Sequence, residues 1–236
     1  MALPNAREET TAQTVYYAYL GKMGYDGAHQ LQLDLVTQRR EEIIGDTLLL
    51  LEHEPVITLG RRGNEGHILA DEKRLAREGI EVRRVERGGD VTYHGPGQIV
   101  GYPIVRLRDY DLGASDYMHR LEQVIIDTCS DYGLSARRRE GYIGVWIGNN
   151  KIAAFGVRIR RGITFHGWAF NIAPNMSHWD CIIPCGITDG GVTSLQSELG
   201  WAPEMTDVIE HLVIHYGRLF DAMMWPTAAD DLASSR

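Results

Sequence analysis

Arg87-Gly88-Gly89-Asp90-Val91-Thr92-Tyr93-His94-Gly95-Pro96-Gly97-Gln98 is the stretch from which the rest of the chain can be read. Four glycines and one proline in this run exclude a continuous helix or strand and predict a loop. The same loop carries a cation, Arg87, and three side chains able to hydrogen-bond, Thr92, Tyr93 and His94. Glycine allows a backbone to approach a ligand closely. Glycines alone would read as a surface turn; glycines interleaved with these polar groups read as a binding loop.

Both flanks have strand character. Residues 80–86 lead into the loop. Residues 98–107 lead out of it, with Gly101 and Pro103 predicting an edge strand or a bulge. Upstream, residues 15–19 read as a strand. Residues 26–43 read as a helix with Ala28, Leu31 and Leu35 on one face. Residues 48–51 and 56–59 read as buried strands parted by Pro55, followed by a turn at 61–64. A short helix over 71–78 is stopped by Gly79. Downstream, Ser115 opens a helix that aligns Met118, Leu121, Ile125 and Cys129 and closes at Gly133, which makes Cys129 a core residue.

Residues 142–172 read as a meander. Val145 and Ile147 alternate, Asn149-Asn150 turns, strand 152–160 points Val157 and Ile159 inward, and strand 163–172 follows Arg161-Gly162. Residues 176–192 form a long irregular segment, a type that is usually functional inside a compact domain. A last helix spans 207–223, burying Val208, Leu212, Tyr216, Leu219 and Met223, and is ended by Pro226. No repeat or linker divides the chain. The reading is one α/β domain over 14–226, with disordered tails at 1–13 and 227–236.

The 236 residues are 44% hydrophobic and 24% charged, as in globular domains. No apolar run is long enough to span a membrane, and the first residues do not resemble a signal peptide. Three cysteines, an odd number, fit a reducing cytoplasm without structural disulfides. The net charge of −8 argues against general nucleic-acid binding. It is unevenly spread: residues 61–161 hold 18 Lys and Arg against 14 Asp and Glu, a net of +4, while the remainder holds 6 against 18, a net of −12. A basic middle segment suits an acidic partner.

Among residues suited to chemistry, Cys185 lies in Ile183-Pro184-Cys185-Gly186-Ile187, where Pro and Gly expose it in a loop. Cysteine becomes a useful nucleophile when a nearby cation or histidine lowers its pKa. Lys151, the only lysine after Lys73, begins an apolar strand that would partly desolvate its ammonium. His178, Cys181 and Cys185 lack the spacing of a zinc site. His211 and His215 lie four apart, but no metalloprotease glutamate stands between them, so they read as surface residues of the last helix. No metal ligand set is assigned. A phosphate loop and a Gly-x-Ser-x-Gly elbow are both missing.

Three stretches together resemble one family. The segment from Arg87 through His94 to Tyr102 resembles the signature of the octanoyl-[acyl carrier protein]:protein N-octanoyltransferases, also called lipoyl(octanoyl) transferases. Lys151-Ile152-Ala153-Ala154-Phe155-Gly156 resembles their lysine segment, and Pro184-Cys185-Gly186-Ile187 their nucleophile segment. The resemblance implies a fold like that of the biotin and lipoate protein ligases, with a mixed, largely antiparallel sheet flanked by helices. It implies that an octanoyl or lipoyl group moves from acyl carrier protein to a lysine of lipoyl domains, those of 2-oxo acid dehydrogenases and the glycine cleavage H protein. Cys185 would carry the acyl group as a thioester and Lys151 would activate it, with His94 as a competing acid–base group. Substrate-binding positions would be Arg87, Gly88, Gly89, Asp90, Val91, Thr92, Tyr93 and His94, then Ala154, Phe155 and Gly156, then Gly167, Trp168 and Ala169. Phe155, Trp168 and Phe170 would line a chain tunnel. Ala154-Phe155 and Trp168 depart from the commoner residues there and bear on chain length. A cytoplasmic monomer without cofactor is implied. The alternatives are an ATP-dependent lipoate or biotin ligase of the same fold, and a non-catalytic acyl- or lipoyl-domain-binding module.

Overall fold

The computed structural model of the chain describes residues 12–184 and 190–229. It begins with β1 (Gln13–Met23), α1 (Tyr25–Arg40), β2 (Asp46–His53), β3 (Val56–Leu59), α2 (Glu72–Glu78), β4 (Glu81–Arg84), β5 (Val91–His94) and β6 (Gln98–Ile104). There follow α3 (Ala114–Asp131), β7 (Ala136–Arg139), β8 (Tyr142–Ile147), β9 (Asn150–Phe155), β10 (Arg158–Arg160), β11 (Ile163–Phe165) and β12 (Trp168–Asn171). The chain ends with β13 (Gly191–Val192), α4 (Leu195–Leu199), α5 (Met205–Phe220) and β14 (Ala222–Pro226).

The main sheet has the order β14-β1-β2-β6-β12-β9-β8-β7, with β13 added beside β9. It is mixed: β14, β1 and β2 run parallel, β13 runs parallel to β9, and the other neighbours are antiparallel. The apolar run of β2 sits between two covered faces, so both sets of its alternating side chains are buried. Leu48 and Leu50 pack with Leu121, Ile125, Leu212 and Tyr216 beneath α3 and α5. Leu49 and Leu51 pack with Ala28 and Leu35 of α1. A small sheet, β4-β3-β5, closes a third cluster in which Ile57, Val91 and Tyr93 meet Trp179. Cys129 is core filling, and burial pushes its thiol up to about 12.

Four expectations are corrected. First, β6 is central, not an edge. Gly101 is there because the Trp168 indole fills the space a side chain would take: a Cβ on Gly101 would lie 2.1 Å from the ring. Pro103 is tolerated because the β12 ladder pairs only Gln98 to Gly101, leaving the proline nitrogen beyond its end. Second, the two long meander strands are each bent. The breaks at Gly156 and at His166-Gly167 split off the β10–β11 hairpin, and Ile159 there faces outward at 39% exposure. Third, the last helix stops at Phe220, and Met223 lies on β14, which adds to β1. Fourth, the expected loop over 87–98 is interrupted by a strand: Val91–His94 form β5, paired antiparallel with β3. Helix α4, capped by Ser194, was not foreseen.

Candidate active site

The glycine loop is held by its own arginine. Arg87 is buried and folds back onto β3, its Nε donating to Thr58 Oγ1 at 3.0 Å and Nη2 to Thr58 O at 2.6 Å. The same guanidinium donates to Gly88 O and Asp90 O, each at 2.8 Å. The carbonyls of Arg87, Gly89 and Asp90 accept from the amides of Arg61, Arg62 and Gly60. The Asp90 carboxylate accepts from Asn64 N at 2.9 Å and makes a short contact with His67 Nδ1. A buried cation with this many acceptors is a rigid brace, and it also borders the pocket.

Strand alternation sends the next four residues two ways. Val91 and Tyr93 enter the third cluster, where Tyr93 Oη meets His178 Nδ1 at 2.7 Å. Thr92 and His94 face a pocket of about 450 Å³, open mouth included, between the two sheets. Its floor is the cross-strand row Ala154, Ala169 and Val100 of β9, β12 and β6. Tyr25, Tyr102 and His166 complete the wall. The pocket therefore combines a small apolar floor with a few placed polar groups, the usual make-up of a small-molecule site.

His94 is a neutral, anchored group. Gln98 Nε2 donates to Asn171 Oδ1 at 2.9 Å and to Tyr93 O at 3.2 Å, so its Oε1 accepts from His94 Nδ1 at 2.8 Å. Burial first, then the neighbouring His53 and Arg87, pushes the imidazole well below its ordinary value. His53 is lowered to about 4 and His166 to about 3, again chiefly by burial. His94 and His166 thus line the pocket as neutral rings, and His53 stands behind Tyr102, its Nε2 2.7 Å from the Tyr102 hydroxyl. The network continues through Asn171 Nδ2, which donates to Thr193 O at 2.9 Å, to Thr193 N, which donates to Lys151 O at 3.0 Å.

Lys151 is buried at the start of β9, with Nζ 4.8 Å from the centre of the Trp146 ring. Gly144 opposite makes room for it: its φ is +147°, and a Cβ there would meet Trp146 at 2.8 Å and Lys151 Cε at 3.1 Å. Gly144 N donates to the buried Glu122 carboxylate at 3.0 Å, which also accepts from Arg138 Nε at 2.9 Å. Lys151 lines a small inner cavity with Thr92, Ala154, Trp179 and Pro184. It also lines a wide outer cleft with Arg62, Gly88, Tyr142 and Ile143.

Most of the expected binding residues therefore surround one place. Arg87, Gly89, Thr92, His94, Ala154, Phe155, Gly156, Gly167 and Ala169 border the pocket, and Gly88 and Asp90 border the adjoining cleft. Val91 and Tyr93 do not. The tunnel reading of Phe170 is corrected: it packs in the core on the opposite face. Trp168 borders the pocket while its ring packs over Gly101, 6.2 Å from Tyr216. The alternation that puts Ala169 on the pocket floor forces its neighbours into the core. Cys185 lies outside the described residues. Its described flanks reach Lys151: Pro184 lines the same cavity, and Val192 pairs with Lys151 in register. Of the residues considered for zinc, His178 has both ring nitrogens engaged, by Tyr93 and Asn175. Sequence reasoning passed over Gln98, Asn171, Gly144 and Glu122. Gln98 stands in the opening motif, but nothing local shows that its amide bridges three strands.

Residues 25–217 match the lipoyl protein ligase A/B catalytic domain family. The chain is 44% identical over 208 residues to an octanoyltransferase of Desulforamulus reducens, covering 88% of this chain and 91% of that one. Its fold resembles a lipoate-protein ligase A solved with bound ATP, with a TM-score of 0.76, 14% identity and coverage of 93% and 92%. It likewise resembles a bipartite lipoate protein ligase of Thermoplasma acidophilum, solved in a study of that ligase and its E2 lipoyl domain, with a TM-score of 0.72, 15% identity and coverage of 94% and 91%. The mixed sheet, the pocket between its two sheets and this similarity over nearly the whole chain agree: the chain belongs to the lipoyl protein ligase A/B catalytic domain family and, within it, to the octanoyltransferases, which are acyltransferases.

Proposed function

We propose that the chain moves an octanoyl group from acyl carrier protein to a lysine of lipoyl domains, through a thioester on Cys185. The carrying observation is the buried Lys151 ammonium, set in a cavity whose wall includes Pro184, the residue before the cysteine. In the first step the Cys185 thiolate attacks the donor thioester carbonyl. The bond to the carrier's sulfur breaks, and that sulfur leaves with a proton from the Lys151 ammonium. In the second step the acceptor amine attacks the Cys185 thioester and gives a proton to the now neutral Lys151. The carbon–sulfur bond breaks, and the Cys185 thiolate and Lys151 ammonium are regenerated. Two steps at one sulfur replace one difficult transfer.

The other groups position the substrate. The alanine floor takes an unbranched chain, and Arg87 shapes the wall beside the reacting end. The acceptors are lipoyl domains of 2-oxo acid dehydrogenases and the glycine cleavage H protein, approaching along the outer cleft. The Thermoplasma ligase, solved in a study that includes its E2 lipoyl domain, supports that class of acceptor. The reaction takes place in the cytoplasm on a monomer, without a cofactor. Among the described residues, no helix is long and apolar enough to cross a membrane.

Intact mass after mixing with octanoyl-acyl carrier protein, without ATP, tests this. One octanoyl adduct that maps to Cys185 and is discharged by a lipoyl domain is expected. An adduct on Cys181 or Cys129 would overturn the assignment. Acylation of the lipoyl domain only when ATP is supplied would make the chain a ligase, and tight binding with neither adduct nor transfer would make it a binding module.

A further inference from the structure

The middle of α5 carries His211-Leu212-Val213-Ile214-His215. A spacing of four sets both imidazoles on one face of the helix, one turn apart. Leu212 and Val213 between them are buried in the core, so that face lies at the rim of the α3–α5 contact. Asp131, the last residue of α3, meets them there. Its Oδ2 lies 2.7 Å from His211 Nδ1 and 2.6 Å from His215 Nε2. The three ligating atoms lie within 4.8 Å of one another, and all three side chains retain access to solvent. Tyr132 packs edge-on against His211 at 5.4 Å and limits its rotation.

We propose that Asp131, His211 and His215 form a surface site for a divalent transition ion of the zinc class. Two imidazole nitrogens and one carboxylate oxygen suit Zn²⁺, Co²⁺, Ni²⁺ or Cu²⁺, and not the oxygen-seeking Mg²⁺ or Ca²⁺. An ion about 2.0–2.2 Å from each donor would set the donors roughly 3.3 Å apart. That requires the two present contacts, 2.7 and 2.6 Å, to lengthen by about 0.6–0.7 Å. Solvent would fill the remaining positions. The site lies on the helical face of the main sheet, away from the pocket, and would pin the end of α3 to the middle of α5.

One neighbour opposes the ion. Arg218 Nη2 donates to His215 Nδ1 at 3.3 Å while also bonding Asp127 Oδ2 at 2.5 Å. A donor at Nδ1 keeps the imidazole proton on Nε2, the atom the ion needs. Bound metal therefore requires the exposed Arg218 to turn away and the ring to change tautomer.

The test is calorimetric titration of ZnCl₂ into the metal-stripped full chain carrying Cys181→Ser and Cys185→Ser, which removes competing thiolates. One equivalent should bind and raise the melting temperature in proportion to the logarithm of free Zn²⁺. His211→Gln, His215→Gln and Asp131→Asn should each weaken binding by more than about tenfold, since even partners outside the first coordination sphere cost ~10–100-fold. Co²⁺ should give a visible absorption band that is lost in the same variants. Arg218→Met should tighten binding. No saturable binding, binding unchanged in His215→Gln, or unchanged or weaker binding in Arg218→Met would overturn the proposal.

Discussion

Lys151 is one of three lysines in the chain, and its ammonium is buried against an indole face beside a glycine that has no side chain to displace it. In the proposed reaction it must first hold the Cys185 thiol as thiolate and then exchange protons with leaving group and nucleophile. An ammonium within ~4–6 Å lowers a thiol's titration by about one to three pH units. Lys151→Met is therefore expected to move the Cys185 alkylation midpoint upward by more than about one pH unit. Both half-reactions should slow by about 10²–10⁴-fold, the usual worth of a positioned acid–base group. His94→Gln should leave that midpoint in place, because burial already holds His94 neutral and Gln98 holds its Nδ1 proton. A midpoint that moves in His94→Gln and not in Lys151→Met would reverse the two roles.

At the scale of elements, the site depends on a polar chain crossing β5, β6 and β12: His94, Gln98, Asn171 and then the Thr193 carbonyl. Every member is buried, so each bond exists in a medium where an unpaired group costs about 1–3 kcal/mol. Gln98→Leu strands His94 Nδ1, Asn171 Oδ1 and Tyr93 O together. It should lower stability in urea by at least about 2 kcal/mol, more than one lost bond would. It should also raise KM for the donor more than it lowers kcat, because Lys151 keeps its own support from Trp146 and Gly144. A variant as stable as the parent would show that these groups find other partners.

At the scale of the molecule, two electrostatic properties can be measured. His53, His94 and His166 all titrate lower in the fold than the ordinary 6.5, the first and last at about 4 and about 3. Between those values and 6.5 the unfolded chain binds more protons, so stability is full above 6.5 and falls as pH drops below it. The slope is about 1.4 kcal/mol per pH unit for each histidine. Denaturation from about pH 7 to about pH 5 should show this decline, and His166→Asn should remove one of its three contributions. Stability independent of pH over that range would contradict the burial of these rings. The second property is docking. Arg138 is spent on the buried Glu122, and Arg158 lies 3.6 Å from Glu86, so neither is a clean probe of a basic face. Arg62 is exposed at the outer cleft beside Lys151, and Arg160 is exposed on β10. Arg62→Glu with Arg160→Glu should slow association with acidic protein substrates. The difference from wild type should shrink above about 0.15 M salt, where the screening length is about 8 Å or less. Salt-independent association would remove the basic segment from the docking step.

The strands that flank the glycine loop, the helix over Ser115 to Gly133 and the grouping of Arg87, Lys151 and Ala154 with one family were legible from the residues alone. Each rests on short-range rules: apolar periodicity, turn residues, and runs of residues that carry chemistry together. What those rules could not decide were long-range matters. That β6 is central depends on Trp168, 67 positions beyond Gly101 in the numbering, filling a glycine's missing side chain. That Met223 lies on a strand depends on β1, at the far end of the chain, offering an edge. Which of Thr92, Tyr93 and His94 face the pocket follows from the phase of β5 against β3, and the phase of a strand is set by its partners. The meeting of Asp131 with His211 and His215 is likewise a product of how α3 packs on α5. Local sequence determined which elements form and which residues can react; packing between distant segments determined where those residues point, because burial is shared by both partners and is written in neither alone.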